Sequence, residues 1–380
     1  MKLSKKQIIL FSSLGFLFLI IIFALSILAF HLSKCNIAFY ALPENIEKTL
    51  KEEIKSSKVK NITFSTIKGS DTLTPFLASR YNIIFTWKGK SVERIAKSSV
   101  KVSQEAFKEY PSQIAKSGQL KDGSQILPLL LDHYEIAYYQ NALKETSMEV
   151  PQNLSDLEDF LILSKKSFQT PLMINGSDDS ELLGFVSLMA HSMLGTEKYI
   201  QLMENIPEKI TSSYEFSPEF KEVLDQIKKM QTLGLLHKKW FQAKDTDIDN
   251  FMEFHQISAL VMSLSEHRER KMSLIQRYES GIFPPEEPWS LHGIICPEVC
   301  AVLMDKKSGS EKVLTYLSSR DVQTRLSEKT KLSPVNARCQ AYDRQADDVR
   351  FWAASSSSIL PSISEGALVN DSQRQNLPPS

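Results

Sequence analysis

The side chains able to do chemistry are scattered rather than grouped. Among the seven His residues no i, i+4 pair would put two imidazoles on one helix face for a metal ion. G-x-S-x-G, H-E-x-x-H and the phosphate-cradling G-x-x-x-x-G-K-S/T are all absent from the sequence, which removes the commonest nucleophile, zinc and nucleotide motifs. Asp178-Asp179 is an acidic pair of the type that acid–base catalysis uses. Such a pair at a helix start more often caps the free N–H groups there. Cys296 and Cys300 have three residues between them in CPEVC, which fits neither the C-x-x-C redox spacing nor a zinc knuckle. His292 adds one nearby imidazole and does not complete a metal site. In an exported domain Cys296, Cys300 and Cys339 could oxidise; buried free thiols are the preferred expectation. The chain is therefore expected to be no enzyme and to carry no metal and no cofactor, and its function is sought in binding.

Composition agrees. Of 380 residues, 45 are Lys or Arg and 45 are Asp or Glu, and 42% are hydrophobic. Such a chain buries a large core, so it is not disordered, and it lacks the basic excess of a nucleic-acid binder. Only 13 glycines occur, which disfavours glycine-rich phosphate loops. The balance of charge is not local. Lys2, Lys5, Lys6 and Lys34 have no acidic neighbour before Asn36, so residues 36–380 carry a net charge of −4.

The run from Ile8 to Leu32 contains no Asp, Glu, Lys or Arg and as a helix would span about 37 Å, enough to cross a bilayer. It is longer than the apolar part of a cleaved signal. A retained signal anchor over 1–35 is expected, with a single pass and the following domain on the outer (periplasmic or extracellular) side. Leu32-Ser33-Lys34-Cys35 resembles a loose lipobox with Lys34 where a small residue belongs. Lipidation of Cys35 and ordinary cleavage thus remain alternatives.

The elements that must position any site follow from periodicity. Residues 36–42, 60–67 and 81–87 read as strands; the helical face of Ile46, Leu50 and Ile54 separates the first two, giving an α/β fold with a largely parallel sheet. Residues 127–143 read as an extended crossing that becomes a strand. A helix is expected over 151–167 with Ser155 or Asp156 as cap, a strand over 170–176, and a helix capped from 177–180. Further on come a helix over 217–236, a strand over 256–264, two short strands within 281–304, a helix pair over 310–330 and a last helix over 343–357. The polar stretch 362–380 reads as a flexible tail.

This order resembles the bacterial extracellular solute-binding proteins of family 1, the sugar-type receptors of ABC importers with a type II periplasmic-binding fold. YNIIFTW (81–87) stands at the family's y-D-v-v strand. LPLLLDHYEIAYYQNAL (127–143) is similar to its crossing into the second lobe. VPQNLSDLEDF (150–160) resembles its P-x-T-W-x-E-l helix start, with Leu154 in place of Trp. FMEFHQISALVMSL (251–264) resembles its F-x-x-G-x-x-A-M strand without the glycine, IFPPEEPWSLHG (282–293) its return crossing, and 310–337 its C-terminal helix pair.

The resemblance implies two lobes: 36–131 with 284–330, and 132–283 with 331–361. It implies a small polar solute, a carbohydrate, held in the cleft between them, ABC permease subunits as partners, and no nucleic acid. A ligand-sensing or interaction protein on the same fold, without transport duty, is the alternative. By position the ligand-binding candidates are Tyr40, Ser70, Asp71 and Trp87 in the first lobe, then Asp132 and Tyr134 at the crossing. Ser177, Asp178, Asp179, Ser265 and Glu266 follow in the second lobe, and Trp289 at the return. Aromatic faces stack on sugar rings while carboxylates and amides take hydroxyls. Trp87 and Trp289 could instead pack between the lobes, and Asp71 could cap the helix that follows it.

Overall fold

The computed structural model describes residues 34–207, 215–286, 291–306 and 309–367. The expected anchor helix, Trp289 and the tail beyond 367 lie outside the described residues. Among the described residues no helix is long and apolar enough to cross a membrane.

The first lobe is built on a six-stranded sheet. Its leading strands are β1 (Cys35–Tyr40), β2 (Ile62–Ile67) and β3 (Ile83–Trp87), linked by helices α1 (Glu44–Ser56) and α2 (Pro75–Ala78). β1 runs parallel to both β2 and β3, as helix-linked strands must. After α3 (Lys90–Ala96) and α4 (Ser112–Ser117) comes β4 (Leu127–Leu131), a run of buried apolar residues. β10 (Glu298–Leu303), which returns from the second lobe, lies antiparallel between β3 and β4. The sheet is therefore mixed rather than largely parallel, because its central strand enters from the opposite lobe.

The second lobe holds a four-stranded sheet. The chain passes directly from β4 through Asp132 and His133 into β5 (Tyr134–Tyr139), which is buried on both faces. Helices α5 (Gln140–Thr146) and α6 (Leu154–Ser164) lead to β6 (Thr170–Ile174). The cap of α6 is Asn153, whose side chain accepts from the Asp156 N–H, two residues before Ser155 and three before Asp156, the caps expected. Then come the long helix α7 (Asp179–Asn205), α8 (Pro218–Thr232), α9 (Asp245–Glu253), β7 (Ile257–Ser263), α10 (Leu264–Glu269), α11 (Met272–Ile275) and β8 (Tyr278–Gly281). Sheet order is β6-β7-β5-β8, and Tyr138 and Tyr139 pack inside this lobe.

The C-terminal third corrects two expectations. Of residues 331–361, expected in the second lobe, 331–355 pack on the first. After β9 (Ile294–Ile295), α12 (Ser310–Leu317) and α13 (Arg320–Thr330), strand β11 (Ser333–Pro334) pairs with β4 at the edge of the first sheet. Val335 and, on α14 (Arg344–Ser355), Val349 and Ala353 join the first-lobe core. Proline is tolerated at such an edge because no ladder bond is needed there. Nor does the tail begin at 362. β12 (Ile359–Leu360) pairs with β9, and α15 (Ile363–Gly366) docks on α7, where the Ile363 N–H donates to Ser187 Oγ and the Tyr199 hydroxyl to the Pro361 carbonyl. This last crossing needs apolar residues, and Leu360, Ile363 and Ala367 supply them.

Cys35, Cys296, Cys300 and Cys339 are all free and buried. Cys35 opens β1 at 2% exposure, and burial pushes its thiol up to about 11. A lipid on Cys35 would have to draw it out of that packing.

Candidate functional site

The C-terminal ends of β1, β3, β4, β6 and β7 converge on the gap between the lobes, where open α/β sheets bind ligands. A cavity of about 260 Å³ lies there. The first lobe contributes Pro43, Trp87 and Pro297. The second contributes Tyr134, Asn175, Asp178, Ser180, Glu181, Asp245, Ser263, Ser265, Glu266, Glu269 and Glu365, and Asp132 sits on the crossing between them.

Local structure explains each placement. Asp132, 7% exposed, accepts from the Ser265 N–H at 2.9 Å and the Ser265 hydroxyl at 2.6 Å, and its own N–H donates to the Pro297 carbonyl. It thereby ties the first crossing to the start of α10, and burial raises its carboxyl to about 6. Tyr134 lays its ring where a Cβ on Gly184 would come within 2.2 Å, so only glycine lets α7 approach, and its hydroxyl donates to the Ser180 carbonyl. Asp178 caps α7, accepting from the Ser180 and Glu181 N–H groups. Ser263 caps α10 by accepting from the Glu266 N–H.

Four further carboxyls meet behind these caps. Glu181 accepts from the Ser263 N–H at 2.9 Å. Glu266 accepts from Arg270, and Arg270 also donates to Asp245 at 3.1 Å and Asp249 at 3.0 Å. Burial, and then the other's charge, holds Glu181 well above the usual carboxylate range; burial does the same for Glu266 against the pull of Arg270.

The lobes approach closely at one glycine. The Glu365 carbonyl oxygen on α15 lies 2.0 Å from where a Cβ on Gly89 would stand, so the lobes touch beside Trp87 with no room for a side chain.

Half the sequence candidates meet in this cavity: Trp87, Asp132, Tyr134, Asp178, Ser265 and Glu266. Four expectations fail on geometry and one on orientation. Tyr40 is 2% exposed inside the first lobe, its hydroxyl donating to the Asp71 carbonyl. Ser70 and Asp71 are exposed beyond β2 and away from the cavity, and the helix there is capped by Thr74 rather than Asp71. Ser177 is held by Asn175 Oδ1 and the Ala243 carbonyl, while Asp179 is exposed at the α7 start and does not line the cavity. Glu181, Asp245 and Glu365 were not foreseen. The first two read as ordinary first-turn helix acids, and Glu365 falls in the supposed tail.

A larger groove, about 760 Å³, opens on the other side of the crossings between α14 and the edge strand β8. Behind its lining residues Ser280, Gln345 and His267 lies the buried Glu135, which accepts from Ser280 at 2.9 Å and from Gln345 at 2.5 and 2.6 Å and lies 2.6 Å from His267 Nδ1. Arg268 pairs there with Asp343 across the lobes. Among the described residues no group of His, Cys, Asp and Glu is arranged to hold a metal ion.

No family model matches the chain, and no curated protein sequence matches it. Solved structures do. The bacterial solute receptor AcbH, reported with a preference for β-D-galactopyranose, superposes with a TM-score of 0.69 at 14% identity, over 88% of this chain and 89% of its own. The binding protein MsmE from Bacillus subtilis, in an open conformation, gives 0.70 at 15% identity over 90% and 91%. RafE from Streptococcus pneumoniae, in its apo form, gives 0.63 at 14% over 88% and 89%. The two-lobed α/β fold of this chain is the fold of these binding proteins.

Proposed function

We propose that the chain captures a small polar solute, a carbohydrate in class, between its two lobes without altering it chemically. The observation that carries this reading is the interlobe cavity itself. One wall offers Trp87 as an aromatic platform, and the other offers carboxylate, amide and hydroxyl groups at the ends of β6 and β7. The likeness to AcbH, and to RafE in complex with raffinose, supports the ligand class. Binding then acts through differential affinity for the closed arrangement, since ligand contacts made by both lobes exist only when they meet. In this reading the Ile8–Leu32 segment retains the domain at the outer face of the membrane, and the closed lobes are presented to ABC permease subunits; its support is the length and charge-free composition of that segment.

A thermal-shift screen of the detergent-solubilised full chain against sugars, amino sugars and polyols tests it. A true ligand at one hundred times its Kd stabilises by about 2.7 kcal/mol, and Trp87→Ala abolishes the shift. If no compound moves the midpoint, solute capture is wrong.

A further inference from the structure

The first-lobe sheet has two ends, and the interlobe cavity occupies only one of them. At the other, where β1, β2, β3 and β4 begin, lysines gather. Lys58 and Lys60 lie in the loop before β2. The Asn61 carbonyl of that loop accepts from the Cys35 N–H at 3.0 Å, which sets the loop beside Lys34 at the start of β1. Lys97 and Lys101 flank Val100, whose N–H donates at 2.8 Å to the carbonyl of Leu303, the last residue of β10. Lys306 follows that strand end. Lys97 and Lys101 also line a recess of about 370 Å³ that opens there.

These side chains are exposed except for the half-buried Lys34. Lys58, Lys60, Lys97 and Lys101 form no ion pair among the described residues, while Lys306 pairs with Glu311 at 3.4 Å. The acids facing the lysines are Asp122, beside Lys97, and Glu311; Asp305 precedes Lys306. Residues 36–380 carry a net charge of −4, so average composition does not supply this surplus of cations.

The path of the chain is an independent observation. The charge-free run ends at Leu32, three residues before Cys35, and Cys35 is already fixed in the sheet at 2% exposure. Three residues reach at most about 11 Å, while surface charge is felt over about 8 Å at physiological salt. With Ile8–Leu32 in the bilayer, the lysine-bearing edge stands at the headgroup layer. The cavity, at the opposite strand ends, stays open to solution.

Resting on the membrane-anchored reading above, we infer that this edge is a contact surface for anionic phospholipid headgroups, with Lys58, Lys60, Lys97 and Lys101 laid against them. Lysine near an anionic bilayer is drawn to it, and the attraction is screened by salt.

Fluorescence quenching on the full chain in vesicles tests this. The four native cysteines it describes are buried, so a fluorophore is placed at Ser98→Cys, on the lysine edge, or at Asp71→Cys, beyond the far end of β2. The quencher is a headgroup spin-labelled lipid. The expected result is quenching at Ser98→Cys about two-fold or more stronger in phosphatidylglycerol-containing vesicles than in phosphatidylcholine alone, lost at about 1 M salt, with Asp71→Cys unchanged. Changing Lys58, Lys60, Lys97 and Lys101 together to Glu, or to Gln, should abolish the difference, with circular dichroism unchanged. Equal quenching in both lipids overturns the inference, as does a difference that survives the lysine changes. Release by inorganic phosphate, where chloride at equal ionic strength has no effect, overturns the lipid assignment in favour of a free-anion site. A chain that resists alkaline carbonate extraction yet shows no lipid dependence keeps its anchor and loses only the headgroup contact. A chain stripped by carbonate loses both.

Discussion

The two concave regions on either side of the crossings differ in a way that size does not predict. The rear groove is about three times the volume of the front cavity. The acid buried behind it, Glu135, is nonetheless held by the lining residues Ser280, Gln345 and His267, and Arg268 is held by Asp343. The front cavity is small, and its acids face one another. Arg270 makes the contrast sharper: it borders the rear groove, yet its bonds go to Glu266 and Asp245 on the front and to Asp249. A charge already answered within the fold serves stability, while one left unanswered is available to a ligand.

The same substitution should therefore have opposite signs in the two regions. Glu135→Gln removes a buried charge from its partners and should destabilise the chain by about 3 kcal/mol in chemical denaturation. A neutral result would mean the rear network is not structural. Gly89→Ala forces a Cβ onto the Glu365 carbonyl. It should cost about 2 kcal/mol or open the lobes, seen as a larger radius of gyration in solution scattering; an unchanged radius and unchanged stability would show that the lobes do not meet there.

Glu266→Gln should instead stabilise the ligand-free chain at pH 7.5 by about 1 kcal/mol, because it removes a carboxyl whose ionised form burial disfavours. Its pH dependence follows from signs. Folded-state carboxyls raised by burial, such as Glu266 and Asp132, contribute stability at low pH and lose it as pH rises, through about 6 for Asp132. The gain from Glu266→Gln should thus vanish near pH 4.5. Buried histidines at the crossings act oppositely. Burial depresses His133 and His292 to about 4. Their contribution is present above about 6.5 and lost as pH falls toward 4. A stability maximum between these limits is expected for the native chain, and Glu266→Gln should move it to higher pH. The smallest effect belongs to Lys121→Ala, which breaks an exposed interlobe pair with Glu204 and should change stability by less than about 0.5 kcal/mol.

Six cavity residues were legible because they stand where periodicity changes. Trp87 ends a strand, Asp132 and Tyr134 flank a break between two apolar runs, Asp178 precedes a helix, and Ser265 and Glu266 follow a strand. Glu181 and Asp245 were not legible, since a first-turn acid looks the same whether it faces solvent or a second acid. Tyr40 misled for the converse reason: a strand-end tyrosine can turn inward, and this one does.

Sequence by itself determined the α/β alternation, the two lobes, the likeness to solute-binding proteins and most element boundaries, because these rest on local periodicity and turn chemistry. Tertiary structure alone decided which lobe received 331–355, that α15 closes against Gly89, and that three carboxyls meet around Arg270. Those outcomes depend on contacts between residues tens to hundreds of positions apart, which no local pattern encodes.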